Sequence, residues 1–273
     1  MGELDEDAVR DAAAEDLDDT LTLLMAMSRA TDEQLRRRVA GLVPRLIIDR
    51  ARYGARHRVG ASQLRRVRAD RGGDLDVDSS LEAIAEARAS RRPPAVDELT
   101  AYDWQKPRTA ICLLIDRSGS MEGTRLATAA MAAASCALRA EHSRTELSVV
   151  AFDSRTQVLL DLAAPCRADV VVDRVLGLRG FGTTSLDAAL RAAEAQLAGA
   201  RANRRITLLL SDCRVTDDVD PLPAARAHAE LLVVAPASDD EEAVRFARAA
   251  GARVASLDTI DGLPGVLEGL LAH

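Results

Sequence analysis

The stretch Ala110-Ile111-Cys112-Leu113-Leu114-Ile115-Asp116-Arg117-Ser118-Gly119-Ser120-Met121 decides how the rest of the chain is read. Its six apolar residues show no polar alternation, which describes a strand covered on both faces, as in a parallel sheet. The run stops at Asp116, and a carboxylate and two hydroxyls then fall on alternate residues, Asp116, Ser118 and Ser120. Gly119 lets the turn fold tightly, because glycine accepts dihedrals that bulkier residues resist. The three side chains can therefore converge on one point at the carboxyl edge of a sheet.

Outward from this stretch, short apolar runs alternate with helical segments. Strands are expected over 147–152, 158–160, 206–210, 231–235 and 253–257, and helices over 124–140, 168–176, 186–199, 222–230, 240–250 and 265–272. This order predicts an α/β fold, a doubly wound, mainly parallel sheet flanked by helices, with the Val158 strand antiparallel at its edge. No internal repeat is visible. Residues 101–273 form this domain. Ligands in such folds sit at the carboxyl ends of the strands, where strand order reverses.

Residues 1–100 read differently, as an N-terminal helical, arginine-rich region with an acidic start. Helix-like apolar spacing runs over 20–30 and 32–43 and is expected to stop at Pro44. Between Arg36 and Arg71 twelve arginines face only Asp49 and Asp70, interleaved with apolar residues, which makes a basic amphipathic region. Gly72-Gly73 and the acidic stretch 74–78 break it. Ser79 or Ser80 is expected to cap a short helix through Ala89, which Arg91-Arg92-Pro93-Pro94 ends.

With 273 residues, 48% hydrophobic and 29% charged, the composition excludes disorder throughout. No apolar run reaches the roughly 18–20 residues of a membrane helix, and the first twenty residues are acidic where a secretory signal is basic and then apolar. A cytoplasmic protein with no membrane association is expected. The four cysteines, Cys112, Cys136, Cys166 and Cys213, form no C-x-x-C pair and read as reduced thiols. Lys106 is the only lysine, and the abundance of arginine and alanine reads as coding bias.

A second carboxylate, Asp212, follows Ser211 at the end of the 206–210 strand. The loop Gly180-Phe181-Gly182-Thr183-Thr184-Ser185 adds further hydroxyls. Two carboxylates and several hydroxyls make a hard, all-oxygen set that suits Mg²⁺, with Mn²⁺ or Ca²⁺ as substitutes. Neutral hydroxyls leave the ion's charge only partly balanced, so a partner's carboxylate could complete its shell.

Asp116-Arg117-Ser118-Gly119-Ser120 resembles the D-x-S-x-S signature of the von Willebrand factor A domain. Gly182-Thr183-Thr184-Ser185-Leu186 resembles that family's threonine loop, and Leu209-Leu210-Ser211-Asp212 its final aspartate motif. The segments occur in the family's order, and the resemblance covers residues 107–273, about three fifths of the chain. It implies a complete metal-ion-dependent adhesion site, with Ser118 and Ser120 binding the metal directly and Asp116 and Asp212 acting largely through ordered waters. Thr184, favoured over Thr183 by counting back from Leu190, would bind directly or through water. Cys213 stands where many relatives carry glycine.

The short motif and the arginine-rich leader look more like bacterial cytosolic members, the CoxE-like proteins and the A domain of magnesium chelatase, than like adhesive receptors. Such proteins commonly work with a MoxR-type or chelatase-type AAA+ ATPase. This chain has no G-x-x-x-x-G-K-[ST] phosphate loop, so an ATPase would be a separate chain. The resemblance thus implies a non-enzymatic, metal-dependent protein-binding module whose partner supplies an Asp or Glu.

Enzyme readings fit less well. A haloacid-dehalogenase-like phosphatase needs a second acid where Ser118 stands and a downstream lysine. A serine hydrolase needs G-x-S-x-G, and His142, His228 and His273 lie in or near helical or terminal segments. The arginine cluster could bind nucleic-acid phosphates, with Tyr53 stacking and the A domain serving as a scaffold. The net charge of −7 and 2% aromatic content weigh against it.

Overall fold

A computed structural model describes residues 5–27, 33–55, 63–72, 74–105, 108–118, 123–143, 145–180 and 182–271. In chain order the elements are α1 (Glu6–Glu15), α2 (Leu17–Met27), α3 (Glu33–Ala55), β1 (Gln63–Arg68), β2 (Asp74–Leu75), α4 (Val77–Ala89) and β3 (Thr100–Gln105). There follow β4 (Thr109–Asp116), α5 (Thr124–His142), β5 (Thr145–Phe152), β6 (Thr156–Leu160), α6 (Ala168–Leu176), α7 (Leu186–Ala198) and β7 (Arg204–Leu210). Last come α8 (Leu222–Ala227), β8 (Leu231–Pro236), α9 (Glu241–Ala250), β9 (Arg253–Leu257) and α10 (Leu263–Leu271). They group into two compact units, residues 1–58 with 108–273, and residues 59–107.

The first unit is built on a six-stranded sheet of order β6-β5-β4-β7-β8-β9. All pairs are parallel except β5 with β6, which is antiparallel at the edge. The alternation hidden in the apolar run of β4 now has a meaning. Ile111, Leu113 and Ile115 point to one face, packed with α5, α6 and α10, while Ala110, Cys112 and Leu114 point to the other, packed with α7, α8 and α9. Both faces are dry, so every strand residue can be apolar. After β4 the chain builds β5 and β6 on one side, then crosses to β7 on the other. The strand order therefore reverses beside β4, and the carboxyl ends of β4 and β7 flank the crevice.

The leader helices α1 to α3 belong to this unit. Helix α2 buries Leu17, Leu21, Leu24 and Met25, and α3 buries Val39, Val43, Ile47 and Ala51, a one-face stripe spaced by four. Both pack against α5, and α3 also meets α6 and α10. Pro44 was expected to end the helix, but α3 runs through it. An internal proline costs about 3 kcal/mol. Burying Val39, Val43 and Ile47 returns about 1.5–3 kcal/mol each, so tertiary packing prevails. Asp18 of α2 accepts hydrogen bonds from the backbone N–H of Ile260 (2.8 Å) and Asp261 (3.3 Å), and Arg50 of α3 makes a two-pronged ion pair with Asp261. The leader thereby holds the turn that starts α10.

Residues 59–107 contain a three-stranded antiparallel sheet of order β1-β3-β2 together with α4, where a helical region was expected. Asp76, and not Ser79 or Ser80, caps α4, accepting from the Ser79 N–H at 3.1 Å. Ser80 is buried and bonds the Thr100 backbone in both directions. Helix α8 stops at Ala227, short of the expected residue 230. Among the described residues no helix is long and apolar enough to cross a membrane.

Candidate metal centre

Strands β4 and β7 lie side by side in register, so Asp116 and Ser211-Asp212 emerge together at their carboxyl ends. Asp116 is held at both oxygens. Its Oδ1 accepts from the Ser118 N–H at 2.8 Å, and its Oδ2 accepts from the Ser211 hydroxyl at 2.5 Å. The Ser211 Oγ in turn accepts from the Cys213 N–H at 2.9 Å. Asp212 Oδ1 accepts from the Arg214 N–H at 3.0 Å. This tight reversal requires φ of 58° at Cys213, in the left-handed region that favours glycine.

Two further loops are tied to this edge. Arg117 donates its backbone N–H to Phe152 O (2.8 Å) and turns its guanidinium to Asp153 (3.0 Å) and Gln157 (3.0 Å). Asp153 O accepts from the Ser185 N–H at 2.9 Å, which links the threonine loop to the β5 end. The Thr184 N–H donates to the Thr216 hydroxyl at 2.6 Å, and the Thr216 N–H donates back to Thr184 O at 3.3 Å. Thr184 is buried and Thr183 exposed. The loop carrying Thr184 is thus bonded to the segment that follows Asp212. Ser120, with Gly119, Met121 and Phe181, lies outside the described residues.

The charge at this edge is left open. Arg117 is committed to Asp153, and among the described residues no arginine pairs with Asp116 or Asp212. Burial raises the Asp116 carboxyl above its ordinary range, opposed by its bonds to Ser118 and Ser211, and the nearby Asp212 charge adds to the rise. Two neighbouring carboxylates with hydroxyls and no soft ligand form a donor set that fits a hard divalent cation. Among the described residues no group of three or more His, Cys, Asp or Glu side chains offers a richer metal site. The Cys213 thiol is buried and held protonated by burial and by the charges of Asp116 and Asp212.

Sequence reasoning missed the supporting residues. Ser211 orients Asp116, Arg117 and Asp153 join two loops, and Thr216 holds the third. Ser211 was visible as the residue beside Asp212, but its partner 95 positions earlier follows only from the register of β4 with β7. A cavity of about 440 Å³ opens beside the site, bordered by Asp116, Ser118, Ser211 and Asp212.

Residues 111–214 match the family model of the von Willebrand factor type A domain. The match falls within the α/β unit and covers less than half of the chain, so it is a similarity of this segment to that family. Among solved structures, its fold is similar to a von Willebrand factor type A protein from Catenulispora acidiphila (TM-score 0.50, 16% identity, covering 63% of this chain and 44% of that one). It is also similar to the D319A mutant of the PilB minor pilin from Streptococcus sanguinis (TM-score 0.50, 10% identity, 61% of each chain). A third likeness is to an aerotolerance-related membrane protein from Bacteroides fragilis (TM-score 0.46, 13% identity, 60% of this chain and 98% of that one). This chain covers less than two thirds of the length of the first two of these proteins. No curated protein sequence matches the chain.

Proposed function

We propose that the A domain is a metal-ion-dependent protein-binding module, with Asp116, Ser118, Ser120, Thr184 and Asp212 as its ligand set for Mg²⁺. The supporting observation is the pair Asp116 and Asp212, brought to one sheet edge, oriented by hydrogen bonds and without an ion-pair partner among the described residues. When bound, the ion supplies an electrophilic point that an Asp or Glu of a partner can ligate. The chain's own part is orientation. Ser211 and the Ser118 N–H fix Asp116, and the Asp153 and Thr216 contacts hold the neighbouring loops in place before a partner arrives. The partner we favour is a separate AAA+ ATPase of the MoxR or chelatase type, with this chain as its adaptor, by analogy with CoxE-like proteins. The four free cysteines suit a reducing compartment such as the cytoplasm.

The same reading treats the chain as a binding protein and not a catalyst: the Ser211 hydroxyl is engaged with the Asp116 carboxylate and the Cys213 N–H. The arginine-rich leader is read as structural. Arg50 pairs with Asp261, Arg52 with Asp49, Arg66 with Asp76 and Arg68 with Asp70 and Asp97. Arginines so engaged are poorly placed to track a phosphate backbone. The test is affinity purification on the immobilised full chain in Mg²⁺ and in EDTA. Retention of a protein in Mg²⁺ that EDTA and Asp116→Ala both abolish supports the module. Retention of nucleic acid that falls steeply with salt and ignores EDTA contradicts it.

A further inference from the structure

The unit of residues 59–107 turns its larger apolar side chains outward. Among its described residues the buried apolar ones are Ala87 and Ala101, beside the polar Asp76 and Ser80. Leu75 is 46% exposed, Val77 53%, Leu81 56% and Val96 58%. Two alanines contribute little to a core, and a unit this small is marginal unless further surface is buried. Helix α4 orders part of the exposed surface. Ser80 and Ala87, seven residues apart, lie on one buried line, and Ser80 bonds the Thr100 backbone of β3. Val77, Leu81, Ile84 and Arg88, spaced by four, three and four, form a second line beside it, the spacing of a seam between two helices. Ile84 is half-buried and the other three are exposed. The charges of α4 are polarised along this line. Asp78 and Glu82 stand in its amino half, Arg88 in its last turn and Arg91 just beyond. All four are exposed, and none has an ion-pair partner among the described residues.

We infer that α4 docks against the α4 of a second copy of this chain, antiparallel, about a two-fold axis passing between Leu81 and Ile84. Charge chooses both the occupant and the direction. On this axis Leu81 meets the partner's Ile84, and Val77 packs on the aliphatic stem of the partner's Arg88. Asp78 then comes level with the guanidinium of the partner's Arg88, and the symmetry forms every contact twice. A parallel pair would set Asp78 against Asp78 and Arg88 against Arg88, which repel. Any other partner needs a stripe that runs from basic to acidic, and α4 read backwards is already that stripe. Arg88, an unpaired cation set within an apolar line, thereby gains its counter-ion. The contact uses none of the proposed metal ligands and stands independently of the function proposed above.

The experiment is sedimentation of the full chain from about 1 to 200 μM, a range that brackets a small interface. The average mass should rise from 29.2 kDa towards twice that value, equally in Mg²⁺ and in EDTA. Leu81→Asp, at an exposed position, should raise the dissociation constant at least about tenfold. Asp78→Arg and Arg88→Asp should each weaken the dimer by about threefold to tenfold, since each replaces two attractive pairs by two repulsive ones. The double variant Asp78→Arg with Arg88→Asp should recover the original affinity, as should an equimolar mixture of the two single variants. Circular dichroism checks that every variant folds. A chain that stays monomeric at the highest concentration overturns the proposal. If Leu81→Asp lowers the thermal midpoint of that monomer, the face is covered from within the chain, which overturns it too. A dimer indifferent to Leu81→Asp and to both charge reversals, or one lost in EDTA, is held together elsewhere and overturns it as well.

Discussion

At the amino ends of the six-stranded sheet, Arg204 grips both oxygens of Glu230 at 2.7 Å and donates to Leu271 O at 2.8 Å. Arg253 approaches the same carboxylate at 3.5 Å, and Glu146 accepts from the Arg201 N–H at 3.1 Å. At the carboxyl ends, Asp116 and Asp212 stand together with hydroxyl and amide donors and, among the described residues, no paired guanidinium, although Arg117 is adjacent in sequence and turned away to Asp153. Both edges use the same residue types. One satisfies its charge within the chain and the other leaves two carboxylates to be satisfied from outside. A closed edge adds stability and invites nothing, whereas an open edge gives up stability for the capacity to bind.

Neutralising substitutions should therefore have opposite signs at the two ends. Arg204→Ala leaves Glu230 with only the distant Arg253 and should cost about 2–3 kcal/mol in urea unfolding. A cost under half of that would mean that the amino edge is not closed by this pair. Asp18→Ala removes the acceptor for two N–H groups at the start of α10 and should cost about 1–2 kcal/mol by the same measurement. A neutral result would show that the leader does not brace the carboxyl edge. Asp116→Asn, in EDTA, should gain about 1 kcal/mol by relieving uncompensated negative charge, and a loss would place that edge in the same class as the other.

The smallest effect lies in the turn between Asp212 and Arg214. At an ordinary position glycine is less stable than alanine, but the left-handed backbone at Cys213 should invert that order. Cys213→Gly is expected to exceed Cys213→Ala by about 0.5–1 kcal/mol. The comparison cancels the loss of the buried thiol, which both variants share. The usual order would mean that the Asp212 loop is not held in the strained form that places its carboxylate.

These contrasts also separate what could be read in the chain from what could not. The strands of the α/β unit were legible because each is a short, mostly apolar run, unbroken in β4 and β8 and carrying a single polar residue such as Ser148 in β5 or Thr207 in β7, bounded by polar residues. Asp116 and Asp212 were legible because they sit at those stops. The strands of the second unit were not. Gln63–Arg68 carries three arginines and looks like the charged face of a helix, and only its pairing with β3 makes it a strand. Tyr102 and Trp104 in β3 were the available signal, since aromatic residues at alternate positions favour strands. Pro44 misled because local propensity was weighed without the buried stripe on either side of it. The amino-edge pairing of Arg204 with Glu230 was invisible for a plainer reason: it spans 26 positions and depends on strand order.

The most direct test of the open edge is a crystal of the full chain soaked in Mn²⁺ and measured at the manganese absorption edge. An anomalous peak enclosed by Asp116, Ser118, Thr184 and Asp212, absent in Asp116→Asn, is the predicted result. Well-ordered loops with those side chains and no peak between them, or manganese bound elsewhere on the molecule, would contradict it.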